Sequence, residues 1–372
     1  MSDKSPYSRF IEHMRSWAIG LPESEVLIPL LQTRLTPEES EFLADLPFLP
    51  IAIEQLTEQF KTPIVELSAR LDPLATRGLL FRHESKDTIR YALNDSVFIF
   101  YRSPFWAGRD DDSTQKLATL ANQYLHEAMG AEYRSYPTSV LRALPVETGI
   151  KDERKVLPYE DVVQILESED YFCTSTCPCR HRKNLDPNAS NCKHETFNCL
   201  HFGRLAQYMV RNGMGKEITR EETMDILRAA AEAGLVHGIG NLKERSDTIC
   251  NCCSCCCIFL EPLKNPQVQK SFQPSNYMVE MDTESCKGCG LCVKRCPMGA
   301  LELVEKLLRL KPDLCIGCGV CAYKCPTQSL GLVHREKEQD FPLNGRDWIY
   351  RMGMERGRDP FAADRAKRKF IK

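Results

Sequence analysis

The chain has 372 residues, with 49 Lys and Arg against 51 Asp and Glu, and 27% charged and 42% hydrophobic side chains. That length leads us to expect two or three domains with real cores, and the near balance of charge excludes a global basic footprint for nucleic acid. Met1 to Arg9 are polar with no apolar signal segment behind them, and no apolar stretch is long enough to span a bilayer, so the 19 cysteines read as reduced thiols in the cytoplasm, not a disulfide framework.

Residues 1–100 read as a small helical unit ending in a hairpin. Thr36-Pro37-Glu38-Glu39 is a helix start, with Thr36 as N-cap, Pro at the first helical position and acids facing the helix dipole. Further helices fit Ile51 to Phe60 and Pro63 to Thr76, and strands fit Leu79 to His83 and Ile89 to Leu93 around a polar turn, Glu84 to Asp87. Three helices and a hairpin make a winged helix. From Thr36 to Thr76, however, eight acids stand against two bases, Lys61 and Arg70. Affinity for DNA rests on neutralising phosphates, so a redox-sensing regulator is the weaker reading and a docking or dimerisation module the stronger.

Residues 101–170 read as a helical connector. Asp110 to Ser113 is a polar link, and helices are expected over Gln115 to Met129 and Leu157 to Ser168.

Residues 171–274 hold eleven cysteines in three groups: Cys173-x3-Cys177-Pro178-Cys179-Arg180, Cys192-x6-Cys199, and Cys250-Asn251-Cys252-Cys253-Ser254-Cys255-Cys256-Cys257. Between the second and third groups the sequence is helical. One helix spans roughly Gly203 to Arg211, and a capping box, Thr219-x-x-Glu222, opens another that runs to Ala233 with Gly234 as its stop. This implies a mostly helical middle domain that returns the third cysteine group to the first two. Consecutive side chains of a helix or strand cannot all face one metal, so the Cys250–Cys257 run either lies in an irregular loop or serves different sites. A cubane takes four thiolates; eleven thiols could hold two clusters with spares, or one cluster and a reactive thiol. Arg180 is a candidate hydrogen-bond donor to cluster sulfur, and His181, His194 and His201 read as polar neighbours ahead of ligands.

Residues 275–335 carry one spacing twice, Cys286-x2-Cys289-x2-Cys292-x3-Cys296-Pro297 and Cys315-x2-Cys318-x2-Cys321-x3-Cys325-Pro326. Three thiolates at x2 intervals wrap one corner of a cube, and the fourth of each run ligates the other cluster. One [4Fe–4S] cluster should then take Cys286, Cys289, Cys292 and Cys325, the other Cys315, Cys318, Cys321 and Cys296. Gly288, Gly290, Gly317 and Gly319 beside these ligands let the backbone turn tightly. Residues 336–372, with Trp348, Tyr350 and a basic end from Arg365 to Lys372, read as a solvated tail.

The last repeat resembles a bacterial two-[4Fe–4S] ferredoxin domain. The wider order of Tyr91-Ala92-Leu93, Leu144-Pro145-Val146, Val156-Leu157-Pro158-Tyr159-Glu160, Cys177-x-Cys179-Arg180, Cys192-x6-Cys199, Ala233-Gly234-Leu235-Val236-His237, Ile249 to Cys257 and the paired motif is similar to a family of 4Fe-4S dicluster ferredoxin-like proteins of anaerobic bacteria and archaea, over roughly residues 20 to 335. The resemblance implies iron–sulfur electron transfer.

The expected molecule is therefore a multidomain α+β protein: winged helix, helical connector, cysteine-rich domain, ferredoxin domain and tail. Its cofactors are two [4Fe–4S] clusters plus one or two further iron–sulfur clusters drawing on Cys177, Cys179, Cys192, Cys199, Cys250, Cys252, Cys253, Cys255, Cys256 and Cys257. No nucleotide fingerprint is present, so flavin or NAD(P)H chemistry falls to a redox partner, a flavoprotein or an oxidoreductase subunit. The alternative is an oxidoreductase component that reduces a small molecule at an open middle cluster. Dimerisation would run through the winged helix.

Overall fold

The computed structural model describes residues 5–85, 87–146, 150, 160–189, 191–264 and 271–368. The N-terminal part follows the caps and breakers read above. Thr36 closes a full capping box with Glu39 over the helix Pro37–Leu43, and helices Ile53–Phe60 and Ile64–Thr76 follow. Ile51 and Ala52, expected to begin a helix, instead form strand β1, which pairs with Tyr91 and Arg90. With β2 (Leu80–Glu84) and β3 (Ile89–Leu93) they make a three-stranded antiparallel sheet in the order β1-β3-β2. Of the turn between β2 and β3, Lys86 lies outside the described residues.

The next segment is helical at first, over Asp112–Tyr124 with Asp111 as N-cap, a π turn at Leu125–Met129 and a further helix, Gly130–Arg134. It then supplies β4 (Leu141–Ala143). Of the helix expected over 157–168, residues 157–159 lie outside the described residues, as do residues 156–159 of the resemblance motif; the helix present is Val162–Glu167, capped by Asp161.

The middle region is not mostly helical. It is built on a seven-stranded sheet formed by β4, β5 (Phe172–Ser175), β6 (Cys199–Phe202), β7 (Lys216–Ile218), β8 (Val236–Gly240), β9 (Thr248–Cys252) and β10 (Phe272–Gln273), in the order β10-β4-β8-β9-β6-β5-β7. All pairings are antiparallel except β10 with β4. The strands are two to five residues long, too short to show a period in the sequence, and their apolar runs do not distinguish strand from buried helix. The expected helices are present, Gly203–Arg211 and Arg220–Glu232, the second opened by the Thr219–Glu222 capping box.

The C-terminal part pairs β11 (Tyr277–Met281) with β14 (Leu330–His334), and β12 (Leu301–Val304) with β13 (Leu307–Leu310), both antiparallel. The residues after it do not form a solvated tail. Helices Gly345–Glu355 and Pro360–Arg368 fold back, burying Met352 and Phe361. Trp348 donates its indole N–H to the Ser139 carbonyl at 3.1 Å, Glu355 accepts from the Thr138 hydroxyl at 2.6 Å, and Asp364 accepts from the Leu49 N–H at 3.1 Å. Of the basic end, Arg365 is exposed and pairs with Asp359 at 3.0 Å; residues 369–372 lie outside the described residues. The main apolar core runs from Tyr7 to Met352 and includes Leu141, Val236, Met298 and Val320, so segments that read as separate share one interior.

Candidate metal centres

In the C-terminal part the two cysteine runs interleave. Cys286, Cys289, Cys292 and Cys325 line one cavity, and Cys296, Cys315, Cys318 and Cys321 line the other. The chain achieves this with two short helices, Leu291–Arg295 and Val320–Tyr323, each entered through a left-handed glycine, Gly290 at φ 72° and Gly319 at φ 76°. Each helix carries its run's fourth cysteine across to the facing cavity. At Gly317 the requirement is steric, since a Cβ would lie 2.1 Å from the Tyr277 carbonyl oxygen. The Ala300 N–H donates to the Cys296 sulfur at 3.2 Å, and the Thr327 and Ser329 hydroxyls lie 3.7 and 3.3 Å from the Cys325 sulfur.

The middle cysteines separate into two sets. In β9 the two-residue period places Cys250 and Cys252 on one face and Asn251 on the other. The register Leu200↔Ile249 brings Cys199, at the start of β6, beside Cys250. Cys177, just before the helix Pro178–Leu185, and Cys179 in its first turn approach from the opposite side, while Cys257 returns after the turn that follows β9. The six thiols are electrostatic neighbours in the order Cys177, Cys179, Cys257, Cys252, Cys250, Cys199, each shifting the pKa of the next. Together with Cys253 at its edge, they line a cavity of ≈ 40 Å³, twice the ≈ 20 Å³ of each C-terminal cavity.

Cys192, Cys253, Cys255 and Cys256 form the second set, with all four sulfurs within 4.8 Å of one another. Cys173 belongs to neither. It points from β5 into the core near Gly215 and Met209, where burial pushes its thiol up to about 12.

Residues 285–329 match the family described as a 4Fe-4S dicluster domain. No curated protein and no solved structure matches the chain. The dicluster domain is a ferredoxin-type 4Fe-4S domain, and its donor set fits that cofactor: eight thiols in two groups of four, with N–H and O–H donors aimed at sulfur. The chain around the inner of its two cavities contacts the segment after β4 and the helix Arg220–Glu232. The Val146 N–H donates to the Cys318 carbonyl at 3.1 Å, and Arg295 caps the helix Arg220–Glu232 through the Ala231 and Glu232 carbonyls at 2.7 and 3.0 Å. Cys318 and Cys321 are buried, whereas Cys289 is exposed, with Leu291 and Leu303 of its cavity open to solvent.

The six-thiol cage carries its own countercharges. Arg180 is 1% exposed; it donates to the Asn251 carbonyl at 2.8 Å and to Asn198 Oδ1, and stands 3.9 Å from the Cys253 sulfur. Burial alone would lower its pKa, but Cys177 and Cys253 hold it above the ordinary value. Arg102 lines the cage and behaves alike, with burial opposed by Cys250, Asp95 and Asp247. Hydrogen bonds from Cys199 and Cys252 hold the Cys250 thiol well below its usual range, and those from Cys179 and Cys252 bring Cys257 down to about 5. Thiol neighbours and burial push Cys177, Cys179, Cys199 and Cys252 the other way, upward, and it is the two buried guanidiniums that give the cage cationic walls suited to an anionic iron–sulfur centre.

The histidines are placed as neighbours. His201 uses both ring nitrogens, 3.1 Å from the Ser175 hydroxyl and 3.1 Å from the Thr248 hydroxyl, and burial lowers its pKa to about 3. His181 contacts the Arg109 carbonyl at 2.8 Å. Asn198, Asn251 and His237 were not singled out from sequence, yet they hold Arg180 and β9 in position: Asn251 donates to the Asn198 carbonyl and meets His237 Nδ1, each at 2.7 Å. Asn198 and Asn251 carried only the signal of adjoining a cysteine, and His237, thirteen residues from Cys250, carried none.

Proposed function

We propose that the chain is an iron–sulfur electron-transfer protein in which the dicluster domain passes single electrons between a redox partner and an iron–sulfur centre in the six-thiol cage. The observation that carries this is the gathering of the eight C-terminal cysteines into two crossed sets of four, the inner of which is joined to the middle region through Val146 and the helix Arg220–Glu232. The clusters supply the one-electron chemistry when bound. The chain's part is to exclude water, fix the thiolates and balance their charge through Arg102 and Arg180. The outer cavity, with Cys289 and two exposed leucines, is the face for the partner, a flavoprotein or an oxidoreductase subunit. Six thiols in the cage exceed the four corners of a cubane, which favours a closed relay over an open iron that would bind a small molecule.

On this reading the N-terminal unit is a winged helix used for docking or dimerisation in the cytoplasm. Its helix Ile64–Thr76 exposes Ile64 and Val65, and its Arg70 is stacked 3.6 Å over the Phe42 ring. A surface this acidic and apolar does not neutralise phosphate, which speaks against the regulator.

Anaerobic purification with iron and sulfide counting, followed by EPR during reductive titration, tests the proposal. We expect iron above the roughly eight per chain of a two-cluster ferredoxin, and signals beyond two interacting [4Fe–4S]⁺ centres. Eight irons and no further signal would refute the middle centre.

A further inference from the structure

The second thiol set differs from every cluster set in the molecule by its spacing. The Cys192 sulfur is 3.8 Å from that of Cys253 and 3.6 Å from that of Cys255, and the Cys255 and Cys256 sulfurs are 3.6 Å apart. Among the described residues this is the one group whose potential ligand atoms all lie within 4.8 Å of one another. The eight cysteines of the dicluster domain do not meet that limit even three at a time, although they line two cavities. The difference is chemical. In a cubane each thiolate binds its own iron, so the sulfurs stand apart around the cluster. Four thiolates on a single tetrahedral ion, each at about 2.3 Å, have sulfurs about 3.8 Å apart along every edge.

We propose that Cys192, Cys253, Cys255 and Cys256 bind one tetrahedral Zn²⁺ ion in a closed structural site, and not an iron–sulfur cluster. The surrounding chain fits that role. Cys192 comes from residues 186–198, which have no helix or strand among those described, and the other three ligands come from the turn after β9. A four-thiolate ion therefore ties an irregular loop to the turn that closes the cage, and Arg180, 3.9 Å from the Cys253 sulfur, offsets its charge. The Cys192 N–H is already held by Asn184 Oδ1 at 2.8 Å, so the loop is fixed at both the backbone and the thiol. Zinc has no redox chemistry and prefers closed four-coordination when structural. The site would hold Cys253 still, and with it Cys252, the next residue back and a member of the cage.

The full-length chain, produced with iron and zinc both supplied, should carry about one zinc per chain in addition to its iron. Cys192→Ala should lower zinc at least tenfold and leave the iron content unchanged, because Cys192 is not in the cage. Zinc-edge X-ray absorption on the unmutated protein gives the same answer without a variant: four sulfur scatterers at about 2.3 Å are expected. Absence of zinc from the unmutated protein, nitrogen or oxygen in its first shell, or a Cys192→Ala loss of iron with zinc retained would each overturn the proposal. Loss of about one iron would mark a mononuclear ferrous site, and loss of about four a cubane. Cys250→Ser separates this from the electron-transfer reading. It should lower iron and spare zinc; if it changes neither, the cage is not an iron site and the zinc site still stands.

Discussion

Cys252 and Cys253 are adjacent in the chain and both border the cage cavity, but only Cys253 belongs to the tight set of four sulfurs. Cys252, the last residue of β9, has Cys250 and Cys257 as its thiol neighbours in the six-thiol cage, while Cys253 lies 3.8 Å from Cys192 in the tight set of four. The strand's alternation sets one direction, and its end at Cys252 frees the next residue to take the other. The two sites thus share a peptide bond but no ligand. Cys252→Ser is expected to lower the iron content and weaken the visible absorption while leaving zinc near one per chain, and Cys253→Ser to do the reverse. Equal loss of both metals in both variants would mean one fused centre.

The crossed sets in the dicluster domain make a sharper prediction. Cys296 follows Cys292 by four residues, yet it lines the cavity of Cys315, Cys318 and Cys321. Cys296→Ser should therefore damage the cluster of the second run, removing up to about four irons and the EPR signal of the inner, buried centre. The solvent-facing cluster of Cys286, Cys289 and Cys292 should survive. Loss confined to that nearer cluster would exclude the crossover.

Much of the local structure was legible because its determinants are local. Thr36 with Glu39 and Thr219 with Glu222 each specify a helix start within four residues, and both capping boxes form. The repeated cysteine spacing is similarly self-contained. The seven-stranded sheet was not legible, since β4 and β8 pair across about a hundred residues (Leu141↔Gly240) and neither strand is long enough to announce itself. The division of the middle thiols was half visible: the sequence required that the Cys250–Cys257 run turn or serve more than one site, but only the fold shows Cys192 reaching the turn and Cys199 reaching the strand.

His237 should give the protein an acid limit separate from its metals. It is buried, with Nδ1 2.7 Å from Asn251 Oδ1, and burial lowers its pKa to about 4 from the ordinary 6.5. The unfolded chain takes up a proton near pH 6.5 that the folded chain refuses until about 4, so stability is complete above 6.5 and falls as the pH drops toward 4. One such group contributes a slope of up to about 1.4 kcal/mol per pH unit. His237→Gln, which retains an N–H donor, should make the unfolding free energy from denaturant titrations less steep by that amount between pH 6 and 4 (roughly one proton). Identical slopes for the two proteins would remove His237 as the cause.

Glu132 joins three distant parts of the chain, and its removal should be costly. Its carboxylate accepts from Arg356 Nε at 2.9 Å, from Arg358 Nη2 at 2.8 Å and from the Gly20 N–H at 3.2 Å. The Arg356 side chain is 0% exposed and that of Glu132 10%, and Arg356 also lies 4.0 Å over the Tyr136 ring. Burial pulls the Arg356 pKa down and Glu132 opposes this, so Glu132→Ala would leave a guanidinium desolvated with only carbonyls and a ring as partners. Breaking a buried pair in this way costs about 3–5 kcal/mol. The C-terminal helices should then be cut by protease well before the rest of the chain, because Arg356 and Arg358 both sit in the link between them. Asp225→Ala is the control: its pair with Arg228 is exposed on both sides, 72% and 64%, and should contribute little. A Glu132→Ala protein as stable and protease-resistant as the Asp225→Ala protein would show that the fold-back rests on the Met352 and Phe361 packing and the Trp348, Glu355 and Asp364 hydrogen bonds, without Glu132.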